Sequence, residues 1–284
     1  MTRTVYLNGE WLPEADAKVS VFDRGFLFAD AIYEVTAVVG GKLIDYAGHS
    51  HRLRNSLAEL GIQCPLSAEQ LLAIHRDIVR RNELNEGLIY MQVSRGPADR
   101  DFAYPSKVEP TIVLFTQAKP VLDNPRRETG ITIVTVADWR WHRRDIKTVQ
   151  LLFPSMAKME ALQRGADDAW LVEDGFVTEG SAATAHIVTQ SGVLVTRPLS
   201  HAILHGITRA NIIELARGVG ITVEERAFTV EEAQNAAEAF ITSATNFATA
   251  VVKIDGTIIG NGKPGPITRK MRALYVESCL ATAI

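Results

Sequence analysis

Cysteine is scarce: the 284-residue chain has two, Cys64 and Cys279. Two thiols build no disulfide scaffold, and neither has neighbours at metal-ligand spacing. Long apolar runs are missing as well. None approaches the ~20 residues of a membrane span. The opening MTRTVYLNGEW lacks the apolar centre of a signal peptide and alternates like a strand. Neither sign of charge dominates, with 33 acidic against 30 basic residues and a net charge of −3. No long-range field for nucleic acid or an anionic membrane follows from that balance. Fixed-period repeats, low-complexity segments, zinc spacings, a Walker loop, a Gly-x-Gly-x-x-Gly turn and a Gly-x-Ser-x-Gly elbow are all absent. These absences lead to the expectation of a cytoplasmic, soluble protein with no nucleic-acid or membrane partner.

Hydrophobic residues make up 46% of the chain and charged residues 22%, enough for a real core under an ordinary surface. Basic residues cluster at Arg140 to Arg144 and at Arg76 to Arg81, and both clusters read as solvated faces. Two-residue turns recur between strand-like runs, at Asn8-Gly9, Gly40-Gly41, Asp174-Gly175, Ser191-Gly192 and Asp255-Gly256. The run HSHRLRNSLAELGI reads as a helix with Leu53, Leu57 and Leu60 on one face and Gly61 as its stop. A second helix is predicted from Ser67, as N-cap, through Leu84, with Leu71, Ile74 and Ile78 buried. A third starts near Thr208 and buries Ile212, Leu215 and Val219, and a fourth starts near Pro266. PSMAKMEALQRG reads as a helix capped by its serine. The stretch KPVLDNPRRETG breaks the pattern and reads as a linker. Strands and helices do not alternate regularly, which argues for α+β over a doubly wound sheet. The expected organisation is a small α/β N-terminal domain over 1–118, an interdomain linker over 119–130, and a larger strand-rich, pseudo-barrel domain over 131–284.

Four features carry candidate chemistry. Lys147 lies between Ile146 and Thr148-Val149 in a strand-like stretch. A lysine in partly dry surroundings can serve as a nucleophilic amine, and a solvated edge lysine has the same local sequence. Lys158 sits in a helical pattern, where a lysine is normally solvated. In HGITRANII a glycine precedes Thr208 at a helix start, which suits either phosphate binding or plain capping. In VTEGSAAT, Glu179 ends a strand and can face a protonated heterocycle or simply occupy a turn. Ser243 and Thr245 of FITSATNF follow a strand and suit phosphate contacts or a turn equally. An amine nucleophile, phosphate-binding elements and a carboxylate for a ring nitrogen together suggest pyridoxal phosphate.

The segments FDRGFLFADAIYEV, HSHRLRNSL, YMQVSRG, DWRWHRRDIKT, VTEGSAAT, GITRANII and ITSATN stand in one order along nearly the whole chain. In that order the sequence resembles the fold-type IV pyridoxal-phosphate aminotransferases, and within them the D-amino-acid transaminases. The resemblance implies a two-domain fold-type IV enzyme and pyridoxal 5'-phosphate as cofactor. It implies Lys147, not Lys158, as the lysine that carries the cofactor, with Glu179 at the pyridine nitrogen. Arg52, Ile207, Thr208, Ser243 and Ala244 would meet the phosphate; Ala244 stands where the family usually has a threonine. Tyr33 and Arg100 would hold the substrate carboxylate. The family's histidine two positions beyond that arginine is replaced by Phe102, which cannot donate to a carboxylate. That replacement leaves room for (R)-selective amine transamination beside D-amino-acid transamination. Branched-chain L-amino-acid transamination and an aminodeoxychorismate-type lyase are the other activities of the group. The resemblance further implies ping-pong transfer between a small amino donor and a 2-oxo acid acceptor. It also implies a homodimer in which the loop around Arg100 reaches the neighbouring site.

Overall fold

A computed structural model describes residues 2–284. The chain divides into two compact units. The first runs to Val121 and takes in Ile146–Gln150 and Thr282–Ile284. The second holds Leu122–Asp145 and Leu151–Ala281. The sequence assigned all of 131–284 to one domain; the packing differs at Ile146–Gln150 and at Thr282–Ile284. The reason is backbone pairing. Lys147 accepts from the Tyr33 N–H, the Val149 N–H donates to Ala31, and Leu43 and Ile284 exchange two hydrogen bonds.

The first unit contains β1 (Thr4–Leu7), β2 (Glu10–Pro13), α1 (Arg24–Phe28), β3 (Ala31–Val39), β4 (Lys42–Leu43), α2 (Tyr46–Leu60), α3 (Ala68–Arg81), β5 (Glu86–Ser94) and β6 (Thr111–Ala118). Its antiparallel sheet has the order β2-β1-β6-β5-β3-β4. Alternation along the strands decides the faces. Ile32 of β3, Ile89 and Met91 of β5 and Leu114 of β6 enter a core with Leu53 and Leu57 of α2 and Ile78 of α3. Tyr33 and Tyr90 lie at alternate positions and stack on one another, and Phe115 stacks on Tyr90. Ser67 caps α3 in a reciprocal pair with Gln70. This helix stops at Arg81, short of the predicted Leu84, because Glu83 takes a positive φ of 49°.

The second unit contains α4 (Arg126–Thr129), β7 (Ile131–Ala137), α5 (Leu152–Gln163), β8 (Asp168–Glu173), β9 (Phe176–Gly180), β10 (Thr184–Val188), β11 (Leu194–Thr196), α6 (Ile207–Gly218), β12 (Val223–Glu225), α7 (Val230–Gln234), β13 (Glu238–Ser243), β14 (Phe247–Ile254), β15 (Thr257–Ile258) and α8 (Pro266–Ala281). The sheet runs β12-β11-β10-β13-β14-β7-β8-β9, with β15 on β14. It mixes parallel pairs at β14/β7, β7/β8 and β11/β12 with antiparallel ones elsewhere. Only residues 181–183 join β9 to β10, although four strands separate them in the sheet. Four backbone steps reach ~15 Å, whereas five strand spacings of a flat sheet need ~24 Å. The sheet therefore curls on itself, which gives the barrel-like body expected of an α+β chain. Its interior holds Trp170, Ile187, Phe228, Ile241 and Val251. Helix α5 starts at Leu152, ahead of Pro154, and Ser155 donates to the Leu151 carbonyl instead of capping. Proline is accepted there because a first-turn N–H has no helical acceptor anyway. Helix α6 buries Ile212, Ile213 and Ala216 and leaves Val219 exposed, which shifts the predicted face. Among the described residues no helix is long and apolar enough to cross a membrane.

Candidate active site

The first unit carries Lys147, Tyr33, Arg52, Arg100 and Phe102; the second carries Glu179, Ile207, Thr208, Ser243 and Ala244. Lys147 lies not in a strand but in a short strap bridged to β3 at Ile32 and Thr148. The Lys147 N–H donates to Ser56 Oγ at 3.2 Å, its carbonyl accepts from Tyr33, and its Nζ stands 4.1 Å from the Tyr33 ring centre. Lys158, in α5, is committed elsewhere. Its amine donates to the Asp167 carbonyl and lies 3.5 Å from Asp168.

Strand alternation puts Glu34 on the face of β3 opposite Tyr33, toward α2. Arg52 grips Glu34 with Nε and Nη2, both at 2.8 Å, and His49 Nδ1 lies 2.8 Å from the same carboxylate. Burial works against the Glu34 charge, but Arg52 and His49 outweigh it and hold the carboxyl well below the usual range. Arg52 is buried, so its orientation is fixed by an ion pair that does not fluctuate in solvent.

Glu179, at the end of β9, is buried. Its Oε2 accepts from Arg140 Nη1 at 2.7 Å and its Oε1 from the Leu204 N–H at 2.9 Å. Burial pushes the Glu179 carboxyl up; Arg140 and the Leu204 amide pull it back without cancelling the rise. Asp138 anchors Arg140 through Nε at 2.9 Å and Nη2 at 2.8 Å, and it also accepts from Thr178. Arg144 lies buried beside it and makes a two-pronged pair with Glu173. Arg140 and Arg144 are thus drawn into an ion network, not the solvated face expected from sequence, while His142 between them stays exposed. Asp138, two residues before Arg140, was the available signal. A carboxylate oxygen has two lone pairs, so Glu179 can still accept from a protonated ring nitrogen.

Helix α6 opens at Ile207 with Gly206 as its N-cap, and no side chain caps it. A β-carbon on Gly206 would come within 2.8 Å of Thr184 Oγ1 and 3.2 Å of Arg209 Cβ. The Thr208 side chain is buried in the first turn. Uncapped amides, the dipole of a 12-residue helix and a hydroxyl stand together there, a set of groups of the kind that can receive an anion. Ser243 closes β13 and its Oγ accepts from the Asn246 N–H, which shapes a half-buried turn through Ala244 and Thr245.

Arg100 and Phe102 project from an exposed loop between β5 and β6. The Phe102 ring meets Phe28 edge-on at 5.7 Å, and the Arg100 guanidinium lies 5.6 Å from each ring centre. No group of histidine, cysteine or carboxylate side chains able to hold a metal exists among the described residues.

Residues 31–254 match the family model described as amino-transferase class IV. The D-alanine aminotransferase of Staphylococcus aureus (strain MSSA476) is 39% identical over 280 residues, covering 96% of this chain and 98% of that protein. The D-alanine aminotransferase of Bacillus licheniformis is 36% identical over 279 residues, covering 98% and 97%. The branched-chain aminotransferase from the thermophilic archaeon Thermoproteus uzoniensis, solved with norvaline, superposes with a TM-score of 0.88 at 29% identity, covering 99% of this chain and 96% of that one. With the family segment spanning most of its length and relatives alike from end to end, the chain belongs to the class IV aminotransferases.

Proposed function

We propose that this aminotransferase uses pyridoxal 5'-phosphate to move the amino group of a D-amino acid such as D-alanine onto a 2-oxo acid. The observation that carries the reading is Glu179, a buried carboxylate pinned by Arg140 and the Leu204 amide, the kind of group that keeps a proton on a pyridine nitrogen. The fit of the cofactor rests on the donor set. The side-chain-free start of α6 and the Thr208 hydroxyl suit a phosphate, and Lys147 supplies a primary amine. The names of the relatives, D-alanine aminotransferases, support the substrate.

When bound, pyridoxal phosphate supplies an electron sink for the substrate α-carbon and a carbonyl that accepts the amine. Each residue then has a task. Lys147 Nζ would hold the cofactor, and as a free amine it would serve as general base for the substrate α-proton. Glu179 would hold the ring-nitrogen proton, and Arg140 orients Glu179 and favours its charge. Ile207, Thr208, Ser243 and Ala244 bind phosphate through N–H and hydroxyl groups, with Arg52 adding charge. Tyr33 and Arg100 bind the donor carboxylate; a guanidinium offers a planar, permanently charged fork for it. We take the protein as a cytoplasmic homodimer in which the Arg100 loop serves the neighbouring site. Phe22, Phe26, Phe102 and Tyr104, exposed on and near that loop, support an apolar partner surface.

Phe102 favours a second reading, the turnover of amines without a carboxylate, because it presents an apolar ring where a donor would bind a carboxylate. A donor panel with 2-oxoglutarate tests both: D-alanine, L-leucine and (R)-1-phenylethylamine. D-Alanine should be the best donor and 2-oxoglutarate should be consumed in step. Preference for L-leucine would sink the proposal, preference for the aryl amine would establish the second reading, and pyruvate release without acceptor consumption would indicate a lyase.

A further inference from the structure

We infer that Arg24, locked with Arg95 onto Asp30, is the positioning residue that sets the Arg100 loop and with it the affinity for a donor carboxylate. The inference rests on the proposal that Arg100 grips that carboxylate. The loop runs from Arg95 to Pro110 without a strand or helix, and its stretch from Asp99 to Tyr104 is exposed. An exposed loop cannot hold a bidentate group in register unless something fixes its backbone. Arg24 supplies that fixation. Its Nη1 donates to the Asp101 carbonyl at 2.6 Å and to the Ala103 carbonyl at 3.5 Å, on either side of Phe102.

Arg24 itself is immobile. It is buried, its Nε donates to Asp30 Oδ2 at 2.7 Å, and its guanidinium lies 4.5 Å from the Phe28 ring centre. Arg95 takes the same carboxylate through Nε at 2.7 Å and Nη2 at 3.1 Å. Two buried guanidiniums therefore share one carboxylate, and the charge left over must be met by dipoles. Arg95 finds them at the carbonyls of Leu60 and Gly61, Arg24 at those of Asp101 and Ala103. The loop completes the solvation of Arg24, so moving the loop would leave its Nη1 without the two carbonyl acceptors while Nε keeps Asp30. Tyr104 closes the arrangement, its ring 3.6 Å from the Arg95 guanidinium and 5.6 Å from that of Arg24. Phe102 is then an anchor on Phe28 that flanks Arg100, and not a substrate-binding donor.

The test compares Arg24→Lys with wild type as holoenzyme. A lysine keeps the charge beside Asp30 but cannot span the carboxylate and two loop carbonyls as a planar fork does. The KM for D-alanine should rise about tenfold to a hundredfold, the cost of a misplaced recognition group, while kcat and cofactor affinity stay within about twofold. A merely structural residue would move all three together, and that result overturns the inference. Tyr104→Leu, which removes an exposed ring from over the two guanidiniums but keeps their hydrogen bonds, should give a smaller rise of the same carboxylate-specific kind. It keeps the inference open to refutation if Arg24→Lys does not fold. If Arg100→Ala raises the D-alanine KM but neither Arg24→Lys nor Tyr104→Leu does, the loop needs no anchor and the inference fails. If Arg100→Ala itself leaves that KM unchanged, the carboxylate reading fails and takes the inference with it.

Discussion

Lys147 and Lys158 stand eleven positions apart and meet different surroundings. Lys158 spends its amine on the Asp167 carbonyl and Asp168, where it ties α5 to β8. Lys147 spends its backbone on Ser56 and Tyr33 and keeps its amine over an aromatic face. Borohydride reduction of the holoenzyme should therefore fix the cofactor on Lys147, with peptide mapping as the readout. A label on Lys158 would reverse the assignment. Lys158→Ala should remain active and lose about 1 kcal/mol of stability, the scale of one hydrogen bond. The apolar neighbours of Lys147 were legible in the sequence; Tyr33 as its partner was not, because that contact exists only once distant segments have packed. The same limit hid Glu34 and the ion network that takes up Arg140 and Arg144. A string of charges carries no record of which side chains lose water on folding.

At the scale of elements, short-range chemistry was legible. Asn8-Gly9, Gly40-Gly41, Asp174-Gly175 and Asp255-Gly256 all adopt positive φ at both residues, as two-residue hairpins require. Helices α1, α4 and α7, of four or five residues, escaped notice because they complete too few turns for a 3.6-residue period to register. For α6 the sequence showed the start but not its use, since capping and anion binding compete for the same amides. That competition makes a prediction. Gly206 has φ −66° and ψ 129°, so a side chain there meets no backbone strain. Gly206→Ser should cap α6 and gain roughly a few tenths of a kcal/mol of helix stability, set against the close approach of its β-carbon to Thr184 Oγ1. Its hydroxyl would occupy the amides meant for phosphate, and cofactor affinity should fall about tenfold or more while the apoprotein still folds and melts cooperatively. Titration of the apoprotein with pyridoxal phosphate, alongside its melting curve, reads both. Undiminished affinity would remove the α6 start from the phosphate site.

For the molecule as a whole, one buried histidine in each unit links stability to pH. His75 donates to the Leu71 carbonyl, and burial pushes its pKa from 6.5 down to about 4. His186, stacked on Phe240 with Nε2 against Thr242, is pushed down to about 3 by burial and then by Arg209. Both stay neutral when folded and take up a proton on unfolding. Their contribution is complete above pH 6.5 and is lost as pH falls toward about 4 and then about 3. Each should add a slope of about 1.4 kcal/mol per pH unit inside its window. Urea unfolding between about pH 7.5 and about 5 should show stability falling with acid, and His75→Gln should flatten the first unit's share. A slope unchanged by that substitution would mean His75 is protonated when folded. The division of the chain into a mixed part and a strand-rich part was legible from where the patterns break. The strand order was not, since β14 joins β7 across an intervening run of nine other elements that periodicity cannot order. Nor did anything announce the strap Ile146–Gln150, and it governs the order of events during synthesis. Leu122–Asp145, made before it, belongs to the second unit, whose sheet awaits strands up to β15. The Ile32–Thr148 bridge cannot close on the ribosome until residue 148 has emerged, and the Leu43–Ile284 pair must wait for residue 284. The two units must therefore mature interleaved in time, so that the candidate lysine is installed only after its future neighbour Tyr33 has long been waiting.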